Sequence, residues 1–228
     1  MLTAAAVCPF PPLIVPEMAT GAAAELDPLR RECASAVTAL GECAADRLVV
    51  VGPGEHTRRH GPGSGGDLAP YGVRLPIGPP PAVLPLSLTI GRWMAEREGL
   101  LPDAYVEVAS EASTQECLAL GAELASETGS LALLVMGDGS ARRPPASPGR
   151  PDDRAPGFDA EVADALARAD AAALARIDPD DARELMAAGR PAWQVLAGAA
   201  GEEALKGELL ADEAPYGVGY FVARWARD

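Results

Sequence analysis

The chain has 228 residues, of which 48% are hydrophobic and 23% are charged, a balance typical of a globular protein with a sizeable core. Its net charge of -14 at pH 7 argues against nucleic acid or an anionic membrane surface as a partner, because either polyanion would repel it. Prolines interrupt the apolar run near the first residue and no basic segment precedes it, so we expect neither a signal peptide nor a membrane-spanning helix. A cytoplasmic protein is the resulting expectation.

The four cysteines give little indication of a disulfide or zinc framework. No two of them form a CxxC pair, and each lies in an apolar or helical context. Free thiols in a reducing compartment are therefore predicted at all four positions: Cys8, Cys33, Cys43 and Cys117.

Short apolar runs alternate with stretches of helical periodicity along the chain. The runs predict five strands, at 2–8, 47–52, 104–110, 131–137 and 216–225. Apolar spacing predicts helices over 21–42, 85–99 and 113–129, followed by a helical region at 158–201. Ser113 or Thr114 is placed to cap the third of these helices, and Asp159 and Asp178 are placed to cap two of the later ones.

This alternation predicts a single α/β domain over residues 1–228, with a mostly parallel central sheet flanked by helices. Residues 141–157 are rich in proline and arginine and are predicted to form an irregular loop. The "GPGSGG" segment at 61–66 matches a dinucleotide-binding pattern by its letters. Because no strand precedes it and no helix follows it, a flexible loop is the better interpretation.

The chemistry-bearing side chains are sparse. His56 and His60 are the only histidines, and glycines and prolines around them disfavour the helix that would align them as a metal-binding pair. Asp212 and Glu213 precede the last predicted strand, where they either form a solvated turn or carry a carboxylate into a pocket. "VVVGPGEH" and "VMGDGSAR" are better placed for a site, since each lies at the carboxyl end of a predicted buried strand.

Several segments together resemble a known family. "AAAVCPFPPLIVPE", "DRLVVVGPGEHTRRH", "LALLVMGDGSARR" with the following "FDAEVADAL", "AWQVLAG" and "DEAPYGVGYFVARW" occur in this order. They resemble the class III extradiol ring-cleavage dioxygenases, in the branch similar to the catalytic B subunit, over nearly the whole chain. The resemblance implies an α/β fold of that family and a ferrous site of two histidines and one glutamate that binds a catecholate and dioxygen.

Carried over by position, most of the implied site is missing. The first-ligand histidine of the family's "PHPP"-like segment corresponds to Phe10, and the acid–base histidine corresponds to Ala141. Only His56, at the second-ligand position, and Glu213, near the carboxylate position, remain as metal-ligand candidates. Two ligands would hold Fe(II) weakly, so we expect no catalytic residue and no cofactor, with Fe(II) bound only if the site is functional after all.

Three hypotheses for function follow. The first is a diverged, non-catalytic family member whose pocket is partly filled by Phe10. The second is a metal-dependent oxidoreductase or hydrolase with a shifted site drawn from His56, His60, Asp67, Asp138 and Glu213. The third is a small-molecule-binding or scaffolding module for an aromatic acid, with a pocket formed by Phe10, Pro12, Asp138 and Arg142, next to Arg143. Self-association into a homo-oligomer is left open by the sequence.

Overall fold

The strands pair into a mixed seven-stranded sheet in the computed structural model, which describes residues 1–227 apart from the side chains of residues 20, 22 and 23. Numbered along the chain, the strands are β1 (Leu2–Cys8), β2 (Arg47–Gly54), β3 (Arg58–His60), β4 (Gly66–Asp67), β5 (Pro76–Ile77), β6 (Ala104–Ala109), β7 (Leu131–Met136), β8 (Lys206–Glu213) and β9 (Tyr220–Ala226). The sheet order is β3-β6-β2-β7-β1-β9-β8, while β4 and β5 form a separate two-stranded ribbon. Strands β6, β2, β7 and β1 are parallel, and β3, β9 and β8 extend the sheet through antiparallel pairings.

Helices cover both faces of this sheet. They are α1 (Pro16–Ala19), α2 (Asp27–Glu42), α3 (Leu86–Arg97), α4 (Thr114–Ser126), α5 (Ala155–Ala167), α6 (Ala171–Ala175), α7 (Pro179–Glu184) and α8 (Arg190–Ala200). Short 3-10 helices lie at Pro12–Ile14, Thr20–Leu26 and Ala69–Tyr71.

The central strands are apolar on both faces because helices bury both. Along β7, Leu131 and Leu133 belong to the core shared with α4, α5 and α8, whereas Leu134 and Met136 belong to the core shared with α2 and α3. A parallel strand enclosed in this way reads as a continuous hydrophobic run rather than an alternating one. The predicted α/β class, with a mostly parallel central sheet flanked by helices, is confirmed.

The structure corrects several predicted details. The last strand begins at Tyr220 rather than at residue 216, and Asp212 and Glu213 end strand β8, which was not predicted, instead of forming a turn. Helix α5 begins at Ala155, so the last three residues of the 141–157 segment are helical. Asp159 therefore lies inside that helix, fully buried, and does not cap it.

Other local predictions hold. Ser113 caps α4 in a capping box with Glu116, and Asp178 caps α7 by accepting from two backbone amides. The helical region predicted at 158–201 is interrupted after α5, since Ala169 has a φ of 52° and Asp170 starts α6 as its N-cap. All four cysteines are free thiols, as predicted. Within residues 1–227, none of the helices has both the length and the apolar character required to cross a bilayer.

Candidate functional site at the carboxyl edge of the sheet

The four parallel strands end at one edge of the sheet, where open α/β sheets form their ligand sites. The segments singled out by sequence meet there: "PFPP" follows β1, "GPGEH" ends β2, and "GDGSAR" follows β7. A cleft of about 500 Å³ opens at this edge. Its walls include Phe10, Arg58, Tyr71, Ser87, Glu107 and Ser110.

Glu107 on β6 is the most heavily bonded side chain of the cleft. Its Oε1 accepts hydrogen bonds from the backbone amides of Glu55 at 2.9 Å and His56 at 3.0 Å. Its Oε2 accepts from Arg58 Nε at 2.6 Å and contacts His60 Nε2 at 3.1 Å. Since the carboxylate is only 1% exposed, these four partners replace its hydration and hold residues 55–60, which include β3, against β6.

The pKa of Glu107 reflects two opposing effects. Burial would raise the pKa of this carboxyl, but the hydrogen bonds from the His56 amide, Arg58 and His60 outweigh burial and hold it below its usual value. Glu107 is therefore a carboxylate at neutral pH, and both of its oxygens are already occupied.

Two glycines of β2 make room for this arrangement. A Cβ at Gly54 would overlap the Glu107 carboxylate, and a Cβ at Gly52 would lie 2.6 Å from Ser87 Oγ. Ser87 Oγ in turn donates to the Pro53 carbonyl at 2.6 Å. The "GPG" of β2 thus serves close packing of a strand end against β6 and α3.

Phe10 reaches the cleft because Asp138 fixes the backbone before it. The Phe10 amide donates to Asp138 Oδ1 at 2.8 Å, and the Asp138 carbonyl accepts from Gly189 N at 2.8 Å. Burial raises the pKa of Asp138 to about 7, against the lowering effect of the Phe10 amide. The half-buried ring of Phe10 packs against the core on one side and lines the cleft on the other.

The predicted pocket of Phe10, Pro12, Asp138 and Arg142 is only partly assembled. Pro12 starts a 3-10 helix and does not line the cleft. Arg142 also lies away from it and donates through Nη1 to the Arg150 carbonyl at 3.1 Å. Asp138 stands behind Phe10, so Phe10 alone of the four forms part of the cleft wall.

Arg143 also forms its contacts outside the cleft. Its Nη1 lies 3.4 Å from Asp159 Oδ2 and 3.8 Å from Asp212 Oδ1. Asp159 also accepts from the Ser140 amide at 2.8 Å, and burial raises its pKa to about 6. Ala141, the acid–base position of the resemblance, has only a methyl group and donates its amide to the Leu185 carbonyl at 3.2 Å. These contacts fold the 138–143 turn against α5 and β8.

The structure does not bring His56 and Glu213 together. Both side chains are exposed; His56 follows β2 and Glu213 ends β8. Four strand-to-strand steps separate β2 from β8, which is about 19 Å at about 4.8 Å per step. Two side chains at that separation cannot bind the same metal ion, so His56 and Glu213 do not form a shared metal site.

The other residues of the shifted-site hypothesis are also dispersed. His60 lies on β3, is 9% exposed and contacts Glu107. Asp67 lies on β4, where it accepts from the Ala69 amide at 2.7 Å. Among the residues described, no group of three or more histidine, cysteine, aspartate or glutamate side chains is arranged to hold a metal ion.

Sequence reasoning missed Glu107, although the sequence does mark it. It is the only charged residue in the apolar strand "AYVEVAS" and lies between Val106 and Val108. A carboxylate in a strand buried on both faces requires dedicated partners. The "EHTRRH" segment supplies them through the Arg58 and His60 side chains and the backbone amides of Glu55 and His56.

Comparisons with known proteins support the fold without extending to function. No family model matches the chain, and no curated protein matches it. Among solved structures, the chain is similar to the crystal structure of uncharacterized protein JW3007 from Escherichia coli K12, with a TM-score of 0.51 and 12% sequence identity. The alignment covers 99% of this chain and 100% of that one. At this identity the likeness concerns the α/β architecture alone.

Proposed function

We propose that this protein is a diverged relative of the class III extradiol dioxygenases, with a B-subunit-like fold, that binds a small aromatic molecule without opening its ring. Support comes from the ordered motifs, because the "PFPP", "GPGEH" and "GDGSAR" segments all lie at the carboxyl ends of the parallel strands of one sheet. Ligands of open α/β sheets bind at this edge. The cleft of about 500 Å³ there is of the size that takes a small molecule.

The proposal rests on the surroundings of two residues of the cleft, Phe10 and Glu107. Phe10 presents an aromatic ring to the cleft at the position where the resemblance implies a metal-binding imidazole. Glu107, the buried carboxylate of the cleft, has both oxygens engaged by four donors. The residues present do not fit a ferrous centre, because a phenyl ring offers no lone pair and this carboxylate is already committed.

The cleft is instead suited to a planar ring with a hydroxyl group. Phe10 and Tyr71 offer aromatic faces and edges for ring contacts. Arg58 bonds Glu107 through Nε only, so its two Nη atoms can donate to a phenolic oxygen. Two carboxylates, Glu55 and Glu107, line the cleft together with this single arginine, which disfavours a carboxylate ligand. A neutral phenol or catechol is therefore preferred over the aromatic acid that the sequence suggested.

Calorimetric titration with phenol and catechol tests this function, with cyclohexanol as the non-aromatic control. We expect saturable binding of the aromatic compounds and weaker binding of cyclohexanol. Replacement Phe10→Ala should weaken phenol binding about 2- to 10-fold, the range for loss of one aromatic contact. The matched control Leu101→Ala removes a side chain that is 79% exposed and outside the cleft, so it should leave binding unchanged. Equal binding of phenol and cyclohexanol, or no binding, would contradict the proposal.

Elemental analysis and a ring-opening assay address catalysis separately. Protein incubated with Fe(II), catechol and oxygen should form no ring-opened product. Near-stoichiometric iron or zinc that disappears in His56→Ala would instead support a metal enzyme with a shifted site.

A further inference from the structure

A second cavity adjoins the cleft. It has a volume of about 730 Å³ and lies between the β6–α4 connection and the segment that contains α7 and the start of α8. Ser110 and Ala188 line both cavities. The two cavities are therefore adjacent, and we call the cleft next to Phe10 and Glu107 the inner lobe and the cavity next to α7 the outer lobe.

The lining of the outer lobe is largely apolar. Its apolar surface comes from Ala112, Pro179, Ala182, Met186, Ala187, Ala188 and Pro191. The charged residues of its wall are Glu111, Asp180, Arg183 and Arg190. Met186 is 51% exposed and has a φ of 55°, an uncommon backbone conformation for a residue with a side chain. A flexible thioether on an apolar wall adapts to ligands of varied shape.

The junction between the lobes is held in place by hydrogen bonds. Ser110 Oγ donates to the Gly54 carbonyl at 3.1 Å, while the Ser110 carbonyl accepts from Arg190 Nη2 at 2.7 Å. Arg190, only 4% exposed, also donates to the Ala112 carbonyl. On the opposite side, Gly189 is bonded to Asp138, the residue that positions Phe10. The wall segments that the two lobes share are thus held in place before a ligand arrives, which lowers the entropic cost of binding.

We propose that the ligand is an elongated phenol, with its ring in the inner lobe and an apolar arm in the outer lobe. The hydrogen-bonding donors of Arg58 and the aromatic rings lie in the inner lobe, whereas the outer lobe offers mainly aliphatic surface. A ring without an arm leaves that surface in water, so each methylene placed in the outer lobe adds binding free energy. This inference rests on the proposed function and specifies its ligand class.

Calorimetric titration with phenol, 4-ethylphenol, 4-butylphenol and 4-hexylphenol tests the inference. We expect the Kd to fall by about fourfold per methylene until the outer lobe is filled. Met186→Arg should reduce the affinity for 4-butylphenol by about tenfold or more, because a charge then faces the arm. It should leave the affinity for phenol unchanged. Leu101→Arg, an exposed leucine outside both lobes, is the matched control and should alter neither value.

Different results of the titration would contradict each of the two proposals. If phenol binds but the arm adds no affinity, or if the gain survives in Met186→Arg, the two-lobe inference is wrong and phenol binding in the inner lobe stands. If none of the four phenols binds, the proposed function is wrong and the inference fails with it.

Discussion

Replacement Glu107→Gln tests whether one carboxylate holds the 55–60 loop. Glutamine has the same shape, but one of its terminal atoms is an amide donor. In either orientation of the glutamine side chain, its NH2 group faces groups that already donate hydrogen bonds. These are the Glu55 and His56 backbone amides in one orientation, and Arg58 and His60 in the other. Breaking a buried charged network by altering one partner lowers the free energy of unfolding by about 3 kcal/mol.

Urea unfolding of the wild type and Glu107→Gln measures this loss, with an unchanged m-value expected if the native state stays compact. For a chain of this length a loss of about 3 kcal/mol corresponds to a fall in Tm of about 6–12 °C. Glu127→Gln is the control, since Glu127 also meets two arginines, Arg47 and Arg59, but is 30% exposed. It should lose about 1 kcal/mol or less. Equal losses in the two variants would refute the assigned role of Glu107.

Three further outcomes follow from the cleft. Gly54→Ala should lower the free energy of unfolding by about 2 kcal/mol, because the added Cβ overlaps the Glu107 carboxylate. The control Gly61→Ala should be near neutral, since no atom lies within 4 Å of its added Cβ. Equal effects of the two variants in urea titrations would contradict this. The pKa of Asp138 rises on folding from 3.8 to about 7, so wild-type stability should fall as pH rises through that interval. The free energy of unfolding of Asp138→Asn, relative to that of the wild type, should therefore increase with pH up to about pH 7. A difference in this free energy that does not change with pH would contradict the raised pKa of Asp138. Phe10→Ala should both weaken phenol binding and lower the Tm, because the ring lines the cleft and also packs against the core; an unchanged Kd in calorimetry would contradict its role in the cleft.

The sequence specifies the sheet well because its central strands are enclosed on both faces. The runs at β1 and β7 are continuous apolar stretches bounded by glycine or proline, and this pattern has few alternatives. Strand β8 was missed since it is a sheet edge: its sequence "KGELLADE" is largely polar and its burial is low. Its stability as a strand comes from pairing with β9, which local pattern does not reveal.

The candidate site was harder to predict because its contacts join distant segments. The Phe10–Asp138 bond spans 128 residues, and Glu107 binds a loop about 50 residues earlier in the chain. The resemblance in sequence drew attention to Phe10, which does line the cleft, and to His56, whose backbone amide rather than its ring contacts Glu107. Position alone also suggested that Arg142 lines the pocket, whereas its guanidinium bonds the neighbouring loop.

A saturation-transfer NMR spectrum of catechol with the iron-free protein, together with mass-spectrometric analysis of a parallel sample that contains Fe(II) and air, tests non-catalytic binding most directly. The spectrum reports binding, and the parallel sample reports ring opening. Non-catalytic binding predicts transfer from protein to the catechol ring protons, reduced in Phe10→Ala, and no ring-opened product beyond that of a protein-free control. Absence of transfer, or a ring-opened product that requires the protein, would contradict it.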